Sequence, residues 1–333
     1  MALITSDSSY NDIISLENLL EAWEEFINGK KGRKDVQEFQ RNLMSNIIAL
    51  HLELKDKTYV HLPYEAFNIS DPKPRNIHKA SVRDRLLHHA IYRKLHSFFN
   101  RTFISDSYSC RFGKGTHKAV QQFRKYGYKA SKNNRKTLWI LKCDIRKFFA
   151  SVDHEVLIDI LDMYLKDKDV LWLLIQIIDS FQSIGEGKGL PLGNLTSQLL
   201  VNIYMNEFDQ FVKHELKQKH YIRYADDFVI MHHDKDTLLK VLPKISQFLY
   251  ENLKLSLHPD KIYLKTFSSG VDFLGWVHFP THRVLRTTTK KRMFRNIHKD
   301  TKKEVIQSYL GLLSHGNTGK LQKKVANHQF KVS

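Results

Sequence analysis

Residues 221–230 read YIRYADDFVI, two apolar runs closed around a pair of adjacent carboxylates. Apolar runs meeting at a tight bend describe a β-hairpin. Such bends favour Asn-Gly or Asp-Gly because the backbone there takes positive φ, and Asp226-Asp227 offers no glycine. Neighbouring carboxylates also repel, a cost that falls away when a divalent cation binds between them. A solvated Asp-Asp bend and a cation site both fit the stretch read by itself.

A third carboxylate shifts the balance. Asp144 ends the run Trp139 to Cys143, whose apolar character suggests a buried central strand. A βαββ arrangement pairs that strand with the hairpin and brings three acids to one sheet edge. Hard oxygen ligands of this kind suit Mg²⁺, which takes one or two protein carboxylates, keeps water and completes its octahedron with phosphate oxygens. Two such ions about 3.5–4 Å apart form a clamp for in-line phosphoryl transfer. In such a clamp one ion would lower the pKa of a primer 3′-hydroxyl, and the other would hold the triphosphate and the leaving pyrophosphate.

The bulk charge agrees. Lysine and arginine number 53 against 35 acids in 333 residues, a net charge of +18, which points to a polyanionic partner, nucleic acid or an anionic membrane. With 42% hydrophobic and 11% aromatic residues the chain is globular rather than disordered. No apolar stretch approaches the roughly 18–20 residues of a spanning helix, and MALITSDSSYNDII lacks a signal-peptide pattern, so a cytoplasmic protein is expected. Cys110 and Cys143 are too far apart for a CxxC pair and read as small buried thiols; the 18 histidines show no metal-ligand spacing.

Along the chain, residues 14–55 carry helical periodicity broken by GKKGRK. An extended segment containing Lys73 and Arg75 leads into a helix from about Val82 to Phe98, and SYSCRFGKGTHKAV suits a loop lying on a phosphate backbone. A helix follows around Val156–Leu165; GEGKGLPLGN opens another from about Thr196 to Leu216, and a third spans about Thr237–Leu253. LSLHPDKIYLK reads as strand or turn and VDFLGWVHF as an apolar run. From Thr281 onward 13 lysines and arginines face 2 acids, which fits either a solvated helical face or a module gripping a duplex backbone.

These residues carry a resemblance. DIRKFF (144–149) resembles the first catalytic motif of reverse transcriptases, LPLGNLTSQ (190–198) their template and nucleotide-positioning loop, and YADD (224–227) their signature. DPKPRNI (71–77) resembles the fingers segment at the incoming triphosphate, HPDKI (258–262) a segment with a lysine near the pyrophosphate, and FLGW (273–276) the primer grip. All six follow the family order over roughly residues 15–325. The resemblance implies an α+β right-hand polymerase fold: a helical N-terminal extension (1–56), fingers and a βαββ palm (57–279), and a short, basic, helical thumb (280–333).

It also implies roles. Asp144, Asp226 and Asp227 are the expected catalytic acids, holding two Mg²⁺ (Mn²⁺ able to substitute) together with the carbonyl of Ile145. Lys73 and Arg75 are expected at the triphosphate, and Phe149 as the steric gate that selects dNTPs. Lys261 is a candidate general acid toward pyrophosphate or an ordinary surface lysine, and Gln198 touches the template or the nucleotide. Phe273, Leu274, Gly275 and Trp276 form the expected primer grip. Partners are an RNA template, an RNA/DNA template-primer duplex and dNTPs, with no membrane.

One departure is informative. Many members show QGxxxSP at the positioning loop, where this chain has Leu192-Gly193-Asn194-Leu195-Thr196-Ser197-Gln198. That loop, SYSCRFGKGTHKAV, the length and the lack of an endonuclease or RNase H extension resemble reverse transcriptases of bacterial and phage diversity-generating retroelements. Those copy a template-repeat RNA with errors at adenines and work with a small basic oligomeric accessory protein. Leucine in place of a hydrogen-bonding glutamine removes a polar contact near the nucleotide sugar, a route to infidelity. Retron, CRISPR-associated and phage-defence reverse transcriptases are alternatives, as is a non-catalytic, maturase-like RNA-binding protein.

Overall fold

The structure is a computed structural model that describes residues 9–70, 74–183, 185–299 and 302–329. Four helices open the chain: α1 (Tyr10–Ile14), α2 (Leu16–Ile27), α3 (Lys34–Arg41) and α4 (Leu43–Lys55). The break at GKKGRK falls between α2 and α3, as the periodicity predicts. A hairpin of β1 (Glu65–Ile69) and β2 (Arg75–Lys79) precedes α5 (Val82–Thr102). Ser81 caps α5, its hydroxyl accepting from the Asp84 amide at 3.1 Å. The N-terminal helices share one apolar core with α5: Trp23, Phe26, Leu50, Leu87, Ile91 and Phe99 are all buried in it.

Next come α6 (Thr116–Ala130), β3 (Trp139–Asp144), the single turn α7 (Phe148–Ser151), α8 (His154–Tyr164) and α9 (Lys168–Asp179). Helix α9 is absent from the sequence reading. Its run VLWLLIQII is apolar almost all round, and Val170, Leu173, Leu174 and Ile178 are buried. Helix α10 (Leu195–Gln210) ends in a π-turn, Phe211–Glu215, close to the Thr196–Leu216 expectation. The chain continues through β4 (Tyr221–Tyr224), β5 (Asp227–His232), α11 (Lys235–Leu253) and β6 (Tyr263–Thr266).

The central sheet is antiparallel, ordered β4-β5-β3-β6. Both faces of its middle strands are covered, which explains why β3 and β5 are largely apolar. Leu141, Cys143, Phe228 and Ile230 point into the large core of α5, α8 to α10 and α11. Ile140, Ile222, Val229 and Met231 point the other way, onto Ala119 and Phe123 of α6. Fully burying such a side chain contributes about 1.5–3 kcal/mol.

VDFLGWVHF is a hairpin rather than one run: β7 (Val271–Phe273) and β8 (Trp276–His278) join through Leu274 and Gly275, with φ of +51° and +85°. β9 (Arg283–Leu285) completes a three-stranded sheet. Helices α12 (Thr287–Lys299), α13 (Lys303–Leu313) and α14 (Gly319–Gln329) share a core with it through Met293, Ile297, Ile306, Leu313 and Val325, around Trp276. Of the two cysteines, Cys143 is buried as expected, whereas Cys110 is exposed, because it lies on a surface loop at φ +52°. Among the described residues no helix is long and apolar enough to cross a membrane.

Candidate active site

The acidic hairpin differs in detail from the Asp-Asp bend. Tyr224 pairs with Asp227, so the two-residue turn is Ala225-Asp226, and Asp227 is already the first residue of β5. The positive-φ position is Ala225, at +56°. β3 runs antiparallel beside β5 with Asp144 directly opposite Asp227. The Ile145 amide donates to the Asp226 carbonyl at 3.1 Å, which ties the turn to the end of β3. The expected convergence of Asp144, Asp226 and Asp227 at one end of the sheet is what the register produces.

The segment after α11 docks on the same strand end. Arg146 donates to the Ser256 carbonyl at 2.9 Å, and the His258 amide to the Asp144 carbonyl at 2.8 Å. This brings Lys261 in, its Nζ 2.8 Å from Asp144 Oδ1. The lysine pKa is raised: burial works against the charge, but the Asp144 hydrogen bond and the surrounding carboxylates outweigh it. A second lysine, which the sequence reading missed, stands 3.3 Å from Asp227 Oδ1: Lys142. Period-2 alternation along ILKCD puts it on the face of Asp144, a signal available in the sequence.

The acids are uncomfortable. Burial raises the Asp226 pKa, reinforced by the Asp144 charge and only partly offset by Lys261 and Arg75. Asp227 is pushed up to about 6 by burial, which Lys142 opposes and Asp226 and Asp144 assist. Although paired in charge with Lys142, Asp227 Oδ1 is buried without a hydrogen-bond partner. As placed, no three His, Cys, Asp or Glu among the described residues close into a metal cage, and Lys261 and Lys142 each pair with one of the acids. The donor set nevertheless suits Mg²⁺, which needs one or two protein carboxylates, and an orphaned carboxylate oxygen among repelling acids is what a divalent cation relieves.

Of the nucleotide-binding candidates, Lys73 lies outside the described residues. Arg75 begins β2 and lines a cleft of about 780 Å³ with Leu274, Gly275, Trp276, Lys291 and Arg295. Phe149 is half-buried on α7, its carbonyl accepting from the Leu190 amide at 2.8 Å. The positioning loop is bonded to β2: the His78 amide donates to the Leu192 carbonyl at 3.1 Å, and Asn194 Nδ2 donates to the His78 carbonyl at 3.1 Å. Gln198, in the first turn of α10, lines a separate cavity of about 300 Å³ with Lys79 and His88. In FLGW, Phe273 and Trp276 are buried, and Leu274, Gly275 and Trp276 line the cleft.

The loop 107–115, expected to lie on a phosphate backbone, is partly built into the fold, with Cys110, Phe112 and Gly113 left exposed. Ser107, Tyr108 and Ser109 are buried along the edge of β4, the Tyr108 amide donating to the Arg223 carbonyl at 3.0 Å. The Arg111 guanidinium is spent on the carbonyls of Asn100, Ile104 and Ser107.

The model of the family described as reverse transcriptase (RNA-dependent DNA polymerase) matches residues 69–278. The chain belongs to the reverse transcriptase family. It is 24% identical to the protein YkfC of Escherichia coli K12, over 75% of this chain and 74% of that one. It is 23% identical to the group II intron-encoded protein LtrA of Lactococcus lactis, over 72% of this chain and 50% of LtrA. The chain spans 36% of the length of a Saccharomyces cerevisiae COX1/OXI3 intron 2 protein, at 22% identity. Apo telomerase from Candida tropicalis superposes with a TM-score of 0.51 at 13% identity, over 73% of this chain and 60% of that one. At such identity the likeness is one of fold, the mixed helix-and-sheet right-hand polymerase fold of reverse transcriptases.

Proposed function

We propose that the chain is an RNA-directed DNA polymerase that extends a primer on an RNA template with dNTPs. The observation that carries this reading is the register of β3 against β5, which sets Asp144 opposite Asp227 with Asp226 tied to Ile145 between them. Asp144, Asp226 and Asp227, with the Ile145 carbonyl, are the groups to hold Mg²⁺, which when bound supplies charge neutralisation and activation of the 3′-hydroxyl. Arg75 faces the triphosphate with its fixed positive charge, and Phe149 closes the space beside the sugar. Lys261, kept protonated beside Asp144, carries a proton within reach of a leaving pyrophosphate. Fingers, palm and thumb follow the boundaries 57–279 and 280–333, with residues 1–56 as extension. Primer extension on an RNA template with Mg²⁺, compared with Asp226→Ala, tests the reading; equal extension by both proteins would sink it.

Within that activity we place the chain among the error-prone enzymes of diversity-generating retroelements, on the strength of Leu192 in the positioning loop. The template is then a template-repeat RNA, and a small basic oligomeric protein is the accessory partner. The intron-encoded relatives favour a second reading, an enzyme serving a structured intron-type RNA. Neighbouring DNA decides between them: the retroelement reading requires two near-identical repeats differing mainly where one has adenine.

A further inference from the structure

The polymerase reading gives no role to a fully buried ion pair that joins β4 to α10. Arg223 interrupts the apolar strand β4 and is 0% exposed, as is its partner Asp209 on α10. Nε and Nη2 of the guanidinium donate to the two Asp209 oxygens at 2.8 and 2.7 Å, and Tyr221 Oη donates to Asp209 Oδ1 at 2.7 Å. Three further contacts leave the pair: Nη2 reaches Ser107 Oγ at 3.0 Å, and Nη1 reaches the Ala225 carbonyl at 3.1 Å and, at the longer distance of 3.4 Å, Asn202 Oδ1.

As a stabilising device this arrangement is a poor choice, because a buried ion pair is often matched or bettered by apolar residues of the same volume. What apolar residues cannot supply is the fork, and lysine cannot either. The arm on Ala225 ends at the catalytic turn. Ala225 sits at φ +56°, which costs an L-residue energy unless its surroundings enforce it. The peptide planes on both sides of the Asp226 Cα are thereby held, the Ala225 carbonyl by Arg223 and the Asp226 carbonyl by the Ile145 amide at 3.1 Å. With both planes fixed, the Cα–Cβ direction of Asp226 is fixed.

We propose that Arg223 is a positioning residue of the polymerase centre: pinned by Asp209, it holds the Ala225-Asp226 peptide plane and so aims the Asp226 carboxylate. The proposal rests on the polymerase reading for its kinetic consequence but not for its structural one. A charge on an interior strand position is thereby explained by the turn two residues later, and Ser107 anchors the same guanidinium from the opposite side.

Two variants test it in the full chain. Arg223→Met combined with Asp209→Leu removes both buried charges; Arg223→Lys keeps the charge pair and loses the fork, and serves where the double variant fails to fold. In a variant that melts cooperatively, hydrogen exchange at the Asp226 and Asp227 amides of the metal-free protein should rise about tenfold or more while β3 keeps its protection. The single-turnover incorporation rate should fall by about 10²-fold, with the template-primer Kd and the dNTP KM within about twofold of the parent, as displacement of a reacting group demands. Parental exchange at the turn, or a parental rate in a folded variant, overturns the proposal. A parent no more active than Asp226→Ala sinks the polymerase reading instead, and the exchange measurement then still decides whether Arg223 holds the turn.

Discussion

Asp144 and Asp227 stand directly opposite each other across the β3–β5 ladder, two carboxylates in one cross-strand pair. Like charges in that position are destabilising, and here the pair is mostly buried beside a third acid. The sign of the pH effect follows from Asp227, whose folded pKa of about 6 lies above the ordinary 3.8. The folded chain holds that proton through the window, so metal-free stability falls as pH rises from about 4 to 6, and the full penalty is present above it. At pH 7.5, Asp227→Asn should therefore stabilise the metal-free protein by about 1–3 kcal/mol while abolishing primer extension. Mg²⁺ should raise the melting temperature of the parent and not of the variant. Chemical denaturation with and without EDTA reads both effects, and an Mg²⁺ increment that survives in Asp227→Asn places the metal elsewhere.

His278 supplies the opposite slope. It is buried on β8, its ring against Phe123 and its Nε2 3.2 Å from the Phe273 carbonyl. Burial, reinforced by the Arg283 charge and opposed by that carbonyl, pushes its pKa down to about 4 from 6.5. The unfolded chain then binds more protons between those values, so the stability that His278 contributes above pH 6.5 is lost as pH falls toward 4. The loss is at most about 3 kcal/mol, and His89, also held down to about 4 by burial, adds to it in the same direction. His278→Phe should flatten the acid limb of a urea-stability profile between pH 6.5 and 4.5. An unchanged limb would assign the proton uptake to other groups.

Much of the site was legible because it is local in sequence. The run ending at Asp144 and the run around Asp226-Asp227 are apolar on both sides, and a two-faced sheet is the arrangement that buries both. What the sequence hid were relationships across the fold. No sequence pattern tells that Arg111 is consumed by the carbonyls of Asn100, Ile104 and Ser107, or that Arg223 finds Asp209 fourteen residues away on a helix. The missed helix α9 fails for another reason: VLWLLIQII is a nine-residue run with one polar position, Gln176, and a short apolar run of that kind reads alike as a buried strand or a buried helix. FLGW hid a division of labour: in the short hairpin Phe273 and Trp276 are buried as a cross-strand pair, while the turn Leu274-Gly275 lines the cleft together with one side of Trp276.

Leu192 offers a test of fidelity that leaves the backbone alone. Its carbonyl is held by the His78 amide at 3.1 Å, so the loop should keep its path when the side chain is changed. Leu192→Gln should reduce misincorporation opposite template adenine by about fivefold or more in single-nucleotide assays, since an added polar contact restores discrimination of roughly 1 kcal/mol. Gly193 next to it is less forgiving: φ is +108°, and a Cβ there would lie 3.0 Å from Ile77 Cγ2. Gly193→Ala should therefore lower activity on every template base alike. An unchanged error rate in Leu192→Gln removes this residue from the account of infidelity.

The cleft between β2 and the C-terminal helices should announce itself in salt dependence. Lys291, Arg292 and Arg295 line it together with Arg75, and no acid is among its lining residues, which leaves it positive. A contact to a phosphate releases condensed counterions, so each one adds about 0.9 to the slope of log Kd against log salt on a duplex. Lys291→Ala and Arg295→Ala should each weaken template-primer binding regardless of sequence and reduce that slope by about 1, with the dNTP KM unchanged. Lys240, exposed on α11 and outside the cleft lining, should leave the slope unaltered when changed to alanine. Fluorescence-anisotropy titrations across a series of salt concentrations read the slopes directly; equal slopes for parent and both cleft variants would make these residues a solvated helical face rather than a grip on the duplex.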